Sequence, residues 1–103
     1  MQNLTPQEFK DRMAQGVAVL DVRTPEEVEI AALSGAINIP MNELPTRLGE
    51  LDSNAPIVVL CHHGMRSEMA SRFLERNGFA DVAHLVGGID AWSISIDASV
   101  PRY

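Results

Sequence analysis

The sequence predicts an α/β protein with a mainly parallel sheet and helices on both of its faces. Short apolar, β-branched runs at 17–22, 56–61 and 82–86 indicate strands, because a strand buried on both faces of a parallel sheet is hydrophobic throughout. Segments with helix-start signals or helical periodicity lie between these runs. This alternation implies right-handed crossovers, and in such folds ligands bind beyond the carboxyl ends of the strands.

Length and composition predict a single domain over residues 1–103, because a chain of 103 residues leaves no room for a second core. Its residues are 46% hydrophobic and 21% charged, which is typical of globular proteins rather than of disordered chains. No apolar stretch approaches the roughly 20 residues of a membrane span, and the N-terminus lacks a secretory-signal pattern. The sequence therefore predicts a cytoplasmic protein with no membrane partner.

Charge and cysteine content narrow the possible functions. The net charge of −6 gives no basic stripe for a phosphate backbone, so nucleic acid is not an expected partner. Cys61 is the single cysteine, which cannot form an internal disulfide and suits a reducing compartment. This thiol either packs in the core or reacts, and the residues around it decide between the two.

Two helix starts carry the same local signal. The segments 5–8 and 24–27 both consist of threonine, proline, one variable residue and glutamate. This order places a capping threonine before a proline at the first helical position, with glutamate at the reciprocal position of a capping box. We therefore expect a first helix that begins after Thr5 and ends at Gly16, and a second helix that begins after Thr24 and extends to about Leu33.

Shorter patterns predict the remaining elements. Residues 36–40 indicate a short strand closed by its proline. Leucines at 44, 48 and 51 recur at helical spacing and predict a third, amphipathic helix. A further helix should begin near Arg66 and end at the Asn-Gly pair 77–78, and residues 89–92 should form a final helical turn.

A motif typical of a reactive cysteine follows the strand predicted over 56–61. The motif contains Cys61, His62, His63, Gly64, Met65, Arg66 and Ser67. Unpaired amides of the loop and the helix start should surround the sulfur and form an anion cradle. With Arg66, they should lower the pKa of the thiol from its ordinary value of ~8.5 and favour a thiolate or persulfide. A cysteine that only packs needs neither Gly64 nor the arginine.

This motif resembles the active-site loop of the rhodanese family, whose pattern is Cys-x-x-Gly-x-Arg, often followed by serine. The resemblance extends over nearly the whole chain, through the segments 20–27, 35–40, 56–61 and 87–92. It implies a five-stranded parallel sheet and a double-displacement sulfur transfer through a cysteine persulfide. By that resemblance Cys61 carries the sulfur, and the amides of residues 62–66 form the cradle.

The resemblance implies an enzyme that needs no cofactor. Its donor would be a small sulfur-containing anion such as thiosulfate, and its acceptor a thiol, cyanide or a protein. A metal site is not expected, because the adjacent side chains of His62 and His63 should diverge and lack zinc-site spacing. They should line the pocket mouth, where a partly protonated imidazole would attract the anionic donor. Ser67 either caps the helix or bonds to the sulfur.

Asp21 and Arg23 are candidate supporting residues at the end of an earlier strand. Asp21 is either a buried acid that orients the loop or a residue that only assists the next turn. Arg23 is expected to pair with Glu26 or Glu27 and so to fix the second helix. His84 falls within a predicted strand, so we expect it to be structural.

Two other functions stay open on the sequence alone. Cysteine phosphatases and arsenate reductases combine a thiolate with an arginine, but their loop is one residue longer than the loop from Cys61 to Arg66. A reductase of this kind usually needs a second cysteine, which the chain lacks. The other alternative is a rhodanese-like binding or regulatory module. Such modules often lose the cysteine that this chain retains.

Overall fold

The computed structural model describes residues Met1–Tyr103, in which strands alternate with helices. The strands are β1 (Gln2–Leu4), β2 (Ala18–Asp21), β3 (Ile37–Asn38), β4 (Ile57–Leu60) and β5 (Val82–Leu85). The α-helices are α1 (Pro6–Ala14), α2 (Pro25–Ile30), α3 (Leu44–Arg47), α4 (Met65–Arg76) and α5 (Gly88–Ser95). All neighbouring strands are parallel, in the order β1-β5-β4-β2-β3, which confirms the predicted fold class. None of the helices has the length and apolar character needed to cross a membrane.

The central strand β4 separates two hydrophobic clusters, one on each face of the sheet. Val58 and Leu60 belong to the cluster that includes residues of α1 and α5. Val59 and Cys61 belong to the opposite cluster, which includes residues of α3 and α4. Alternate side chains of a strand point to opposite faces of the sheet. Because helices cover both faces, every residue of β4 is apolar and buried.

The two predicted helix starts are confirmed as complete capping boxes. Thr5 accepts a hydrogen bond from the amide of Glu8 at 3.2 Å, and the Glu8 carboxylate accepts one from the amide of Thr5 at 2.9 Å. Thr24 and Glu27 repeat this arrangement at the start of α2. However, α2 is shorter than expected, because the backbone of Ala31 is extended with φ −155° and ψ 135°.

The third helix is not the continuous helix that the leucine spacing predicts. A 3-10 turn at Met41–Glu43 leads into α3, and a second 3-10 turn follows at Leu48–Glu50. The backbone of Arg47 leaves the helical region, with φ −121° and ψ 13°, and separates α3 from the second turn. A spacing of three or four residues fits both kinds of helical turn, so the pattern alone does not distinguish them.

The residue pattern did not predict β1 at the edge of the sheet. This strand has three residues, and only Leu4 is buried. It pairs with β5, where Asn3 lies in register with His84. Three residues show neither an apolar run nor a clear alternation, so contact with β5 rather than local sequence determines this strand.

The start of α5 lies directly against the loop that follows β4. The amide of Ile89 donates to the carbonyl of Cys61 at 2.9 Å, and the amide of Asp90 donates to the carbonyl of His62 at 3.2 Å. Gly88 has φ +64°, and a Cβ atom there would lie 2.2 Å from the carbonyl oxygen of His62. Only glycine permits this close approach.

Replacing Gly88 should therefore be much more costly than replacing another glycine with positive φ. Gly88→Ala should lower the free energy of unfolding by about 3 to 5 kcal/mol, because backbone strain adds to a collision with the loop. Gly16, with φ +81° and nothing within 4 Å of an added Cβ, is the matched control. Gly16→Ala should cost about 1 to 2 kcal/mol in urea unfolding. Equal losses in the two variants would contradict the close approach.

Candidate active site

The sulfur of Cys61 lies at the carboxyl end of the central strand and is held by the loop after it. The amide of Gly64 donates to Sγ at 3.0 Å, and the Ser67 hydroxyl lies 3.5 Å from Sγ. Cys61 is only 2% exposed. The loop and the first turn of α4 thus enclose the sulfur atom and place a backbone N–H group within hydrogen-bond distance of it.

Two features of Gly64 allow the loop to close around the sulfur. Its backbone φ of +108° is one that residues with a side chain rarely adopt. A Cβ atom at this position would also lie 3.2 Å from the amide nitrogen of Gly87. Gly64 also precedes α4 without offering a side-chain cap to its first amides. The positive end of the α4 dipole therefore lies close after Cys61 and favours an anion there.

Arg66 is paired with a carboxylate of α2. Its guanidinium donates to both carboxylate oxygens of Glu27, at 2.7 and 2.9 Å. These hydrogen bonds hold the pKa of Glu27 well below its usual range. The Arg66 side chain is 34% exposed and that of Glu27 is 18% exposed, so the pair lies at the rim of the site. Sequence reasoning did not identify Glu27 as the partner of Arg66.

Arg23 does not form the ion pair that the sequence led us to expect. Its guanidinium pairs with Asp21, with Nη2 2.6 Å from Oδ2, rather than with the carboxylate of Glu26 or Glu27. It also donates to the backbone carbonyl of Ala31 at 2.7 Å. Asp21 and Arg23 are almost completely buried, so the carboxylate is needed to balance the guanidinium. Asp21 thus fixes an arginine that ties β2 to the end of α2.

Tyr103 covers one side of the site, and sequence reasoning missed it. Its ring stacks on that of His62, with centroids 3.9 Å apart and an interplanar angle of 7°. Its hydroxyl donates to Glu27 at 2.7 Å and accepts from Arg23 at 2.9 Å. Burial raises the pKa of Tyr103, so the phenol keeps the proton that it donates. No local pattern marks a tyrosine for these distant contacts.

The expectation that the adjacent histidine side chains diverge is wrong. The rings of His62 and His63 lie with centroids 3.8 Å apart and an interplanar angle of 32°. Burial and the neighbouring His63 lower the pKa of His62, so this ring is mainly neutral at neutral pH and does not supply the expected charge. His63 is exposed, with Nδ1 4.0 Å from Asp90.

A buried serine and a buried histidine stand behind the sulfur. The Ser67 hydroxyl lies 3.0 Å from Nδ1 of His84, and Nε2 of His84 lies 2.9 Å from Oδ1 of Asn3. Burial lowers the pKa of His84. The sequence suggested Ser67 as a partner of the sulfur, but it did not connect His84 or Asn3 to the site. Those two residues meet only because β1 pairs with β5.

Met65 completes the set of predicted loop residues. It occupies the first position of α4 and is 77% exposed, so its side chain lies on the surface beside the loop. Within the whole chain, no three His, Cys, Asp or Glu side chains are placed together to hold a metal ion.

Comparison with known proteins assigns this fold and loop to a class. The Rhodanese-like domain family matches residues 5–95, a range that contains every element except β1. The chain therefore belongs to the rhodanese family, which confirms the resemblance seen in its sequence.

Individual relatives cover the chain to different extents. It is 31% identical over 91 residues to the thiosulfate sulfurtransferase GlpE of Pseudomonas aeruginosa, covering 88% of this chain and 83% of GlpE. It is 40% identical over 79 residues to YrkF of Bacillus subtilis, covering 77% of this chain but only 43% of YrkF. A rhodanese-related protein of Thermoplasma volcanium has a similar structure, with a TM-score of 0.84 and 30% identity. That match covers 98% of this chain and 96% of the other.

The buried pair of Asp21 and Arg23 should dominate the stability of this end of the sheet. Asp21→Asn should lower the free energy of unfolding by about 3 to 5 kcal/mol, because it leaves a buried guanidinium without its anion. Asp81→Asn is the control, since Asp81 is exposed and its carboxylate makes no hydrogen bond or ion pair. Chemical denaturation should show almost no change in the control. A small loss for Asp21→Asn would contradict the role assigned to the pair.

Proposed function

We propose that this protein is a sulfurtransferase that moves sulfane sulfur from a donor such as thiosulfate to a thiophilic acceptor. The observation that carries this proposal is the sulfur of Cys61, enclosed by a short loop whose Gly64 amide donates to it at 3.0 Å. The similarity to the thiosulfate sulfurtransferase GlpE supports the same chemistry. Because Cys61 is the single cysteine, it must carry the sulfur alone.

The loading step needs only the thiolate of Cys61 and the donor. The thiolate attacks the outer sulfur of thiosulfate and forms a new S–S bond. The original S–S bond breaks, and sulfite leaves with its electron pair. The product is a Cys61 persulfide anion, so the negative charge stays on the enzyme next to the amide of Gly64 and the start of α4.

The discharge step returns the enzyme to its initial state. A nucleophilic acceptor, such as cyanide or a thiolate, attacks the terminal sulfur of the persulfide. The S–S bond breaks, and its electron pair remains on Sγ of Cys61 as a thiolate. The loop thus holds an anion before and after each step, and the positive end of the α4 dipole favours both forms.

The dimensions of the loop favour a sulfur atom over a phosphoryl group. Four residues separate Cys61 from Arg66, one fewer than in the loop of cysteine phosphatases and arsenate reductases. The sulfur is already in contact with Gly64 and Ser67 and is almost fully buried. A persulfide adds one atom to this enclosure, whereas a tetrahedral phosphate needs more room. The retained cysteine likewise favours an enzyme over a rhodanese-like binding module.

Incubation with thiosulfate should add the mass of one sulfur atom to the intact protein, and cyanide should then remove it. Cys61→Ser should show neither change, because a serine hydroxyl cannot form a persulfide. Intact-mass spectrometry measures both steps. A sulfur adduct on the serine variant would end the proposal. Ready hydrolysis of aryl phosphates by a protein that thiosulfate leaves unmodified would replace it with the phosphatase alternative.

Arg66 should contribute more to loading than to discharge. Its removal leaves the Glu27 carboxylate without its cation, so the rim becomes negative and repels the approaching thiosulfate anion. Arg66→Ala should slow loading about tenfold more than discharge to cyanide, when the two half-reactions are timed separately. Arg76→Ala is the control, since it removes the same charge from an exposed position on the same helix. Equal effects of the two variants on loading would argue against a specific role for Arg66.

A further inference from the structure

A continuous chain of polar side chains leads from the sulfur of Cys61 to the edge of the sheet. Sγ lies 3.5 Å from the Ser67 hydroxyl, which lies 3.0 Å from Nδ1 of His84. Nε2 of His84 lies 2.9 Å from Oδ1 of Asn3. Cys61, Ser67 and His84 are all at least 96% buried. The chain therefore runs through the interior, where each of these contacts is shielded from water.

His84 occupies a position that packing alone would fill with an apolar residue. Every residue of β5 is buried, and the neighbour of His84 on β4 is Val59. A polar side chain there costs free energy unless its polar atoms are hydrogen-bonded. Both ring nitrogens have a partner, one toward the sulfur and one toward β1. The histidine is thus held in a single orientation that points one nitrogen along the path to Cys61.

The hydrogen bonds define a direction for proton movement. With Oδ1 of Asn3 facing the ring, Nε2 of His84 carries a proton, because a carbonyl oxygen can only accept. Nδ1 is then an acceptor for the Ser67 hydroxyl, whose single proton can be donated either to Nδ1 at 3.0 Å or to the carbonyl of Gly64 at 3.1 Å. The oxygen of Ser67 in turn accepts from the thiol of Cys61. Each donor in this order faces an acceptor.

We infer that Ser67 and His84 form a proton relay that removes the thiol proton from Cys61. The proton of Sγ passes to the oxygen of Ser67 as the hydroxyl proton passes to Nδ1 of His84. The products are a thiolate and an imidazolium, so charge is conserved and no other reactant is required. Ser67 contacts the reacting atom, whereas His84 acts through it and is a positioning residue. The inference rests on the proposed function and adds to it the groups that convert the Cys61 thiol into the thiolate nucleophile.

The far end of the relay reaches a polar cavity at the surface. His84 lines a cavity of about 420 Å³ together with Asn3, His63 and Glu68. This opening gives the imidazolium a route for exchanging its extra proton with solvent. It lies on the side of the loop where β1 and β5 end, so proton exchange is separate from the Arg66–Glu27 rim.

The charged groups that shift the pKa of His84 are Glu68 and Arg72 of α4, and the titratable His63 of the loop lines the same cavity. The Glu68 carboxylate favours the protonated ring, and the Arg72 guanidinium opposes it. These two side chains are paired at 3.0 Å, so their effects on the ring partly cancel. The neighbour from β1 is the neutral Asn3, and the neighbour from β4 is Val59. Burial is the largest influence on His84 and keeps it neutral, as a proton acceptor must be.

The test is the pH profile of Cys61 alkylation by iodoacetamide, which does not require sulfur transfer. Ser67→Ala breaks the relay at its first link. His84→Gln keeps a side chain that can accept from Ser67 but cannot take up a proton. Ser71→Ala is the matched control, because Ser71 is a fully buried serine one turn further along α4 whose hydroxyl has no hydrogen-bond partner. All three proteins are first compared with the wild type by thermal unfolding.

Near neutral pH, Ser67→Ala and His84→Gln should each be alkylated about tenfold more slowly than the wild type, a shift of about one pH unit in the profile. Wild-type reactivity should fall as acid protonates His84, because an imidazolium cannot accept the proton. At high pH the rates should converge, since hydroxide then removes the thiol proton directly. Ser71→Ala should follow the wild-type profile throughout.

Two outcomes would overturn the relay. One is that the profiles of Ser67→Ala and His84→Gln coincide with that of the wild type. The other is that both variants are slower by the same factor at every pH, which would indicate damage to the loop rather than loss of a base. Thiosulfate loading separates the two proposals. If the alkylation profiles of Ser67→Ala and His84→Gln shift as expected but the wild type forms no persulfide, only the sulfurtransferase function is rejected. If the wild type forms a persulfide but both variants keep the wild-type alkylation profile, only the relay is rejected.

Discussion

The close approach of α5 to the loop after β4 is the constraint on which the site depends. The amides of Ile89 and Asp90 donate to the carbonyls of Cys61 and His62 and so hold the start of the loop against α5. The loop can then turn at Gly64 and present its amide to Sγ. Gly88 makes the approach possible because it has no Cβ to strike the loop. Backbone packing between α5 and the loop after β4 thus determines the surroundings of the Cys61 side chain.

Backbone groups, more than free cations, supply the positive potential at the sulfur. The charge of Arg66 is matched by Glu27, and that of Arg23 is matched by Asp21. Burial lowers the pKa of His62, so this ring is mainly neutral at neutral pH. The Gly64 amide and the start of α4 remain, and both have fixed positions next to the sulfur. Dipoles that are fixed in this way stabilise an anion without having to reorganise. The ion pairs instead hold the elements that carry the loop.

The interior behind the sulfur contains a polar side chain in a strand that is otherwise apolar. A hydrophobic residue at His84 would avoid the desolvation of an imidazole in a strand that is otherwise apolar. The structure instead retains the ring and hydrogen-bonds both of its nitrogens, to Ser67 and Asn3. Polar networks of this kind are stable only when every member is paired, so their geometry is narrowly defined. A fixed hydrogen-bond geometry of this kind is suitable for passing a proton between neighbouring side chains.

The sequence by itself determined the features that depend on neighbouring residues: the two capping boxes, the buried strands and the loop from Cys61 to Arg66. Capping and glycine turns act over three or four residues, so a local pattern is sufficient to predict them. Only the tertiary structure decided the contacts that join Arg66 to Glu27, Tyr103 to Glu27 and His84 to Asn3. These pairs are 39, 76 and 81 residues apart, so they form only in the folded chain, and the pairing of β1 with β5 brings Asn3 beside His84. Their partners are ordinary polar residues when read locally, and burial in the folded chain is what gives them their roles.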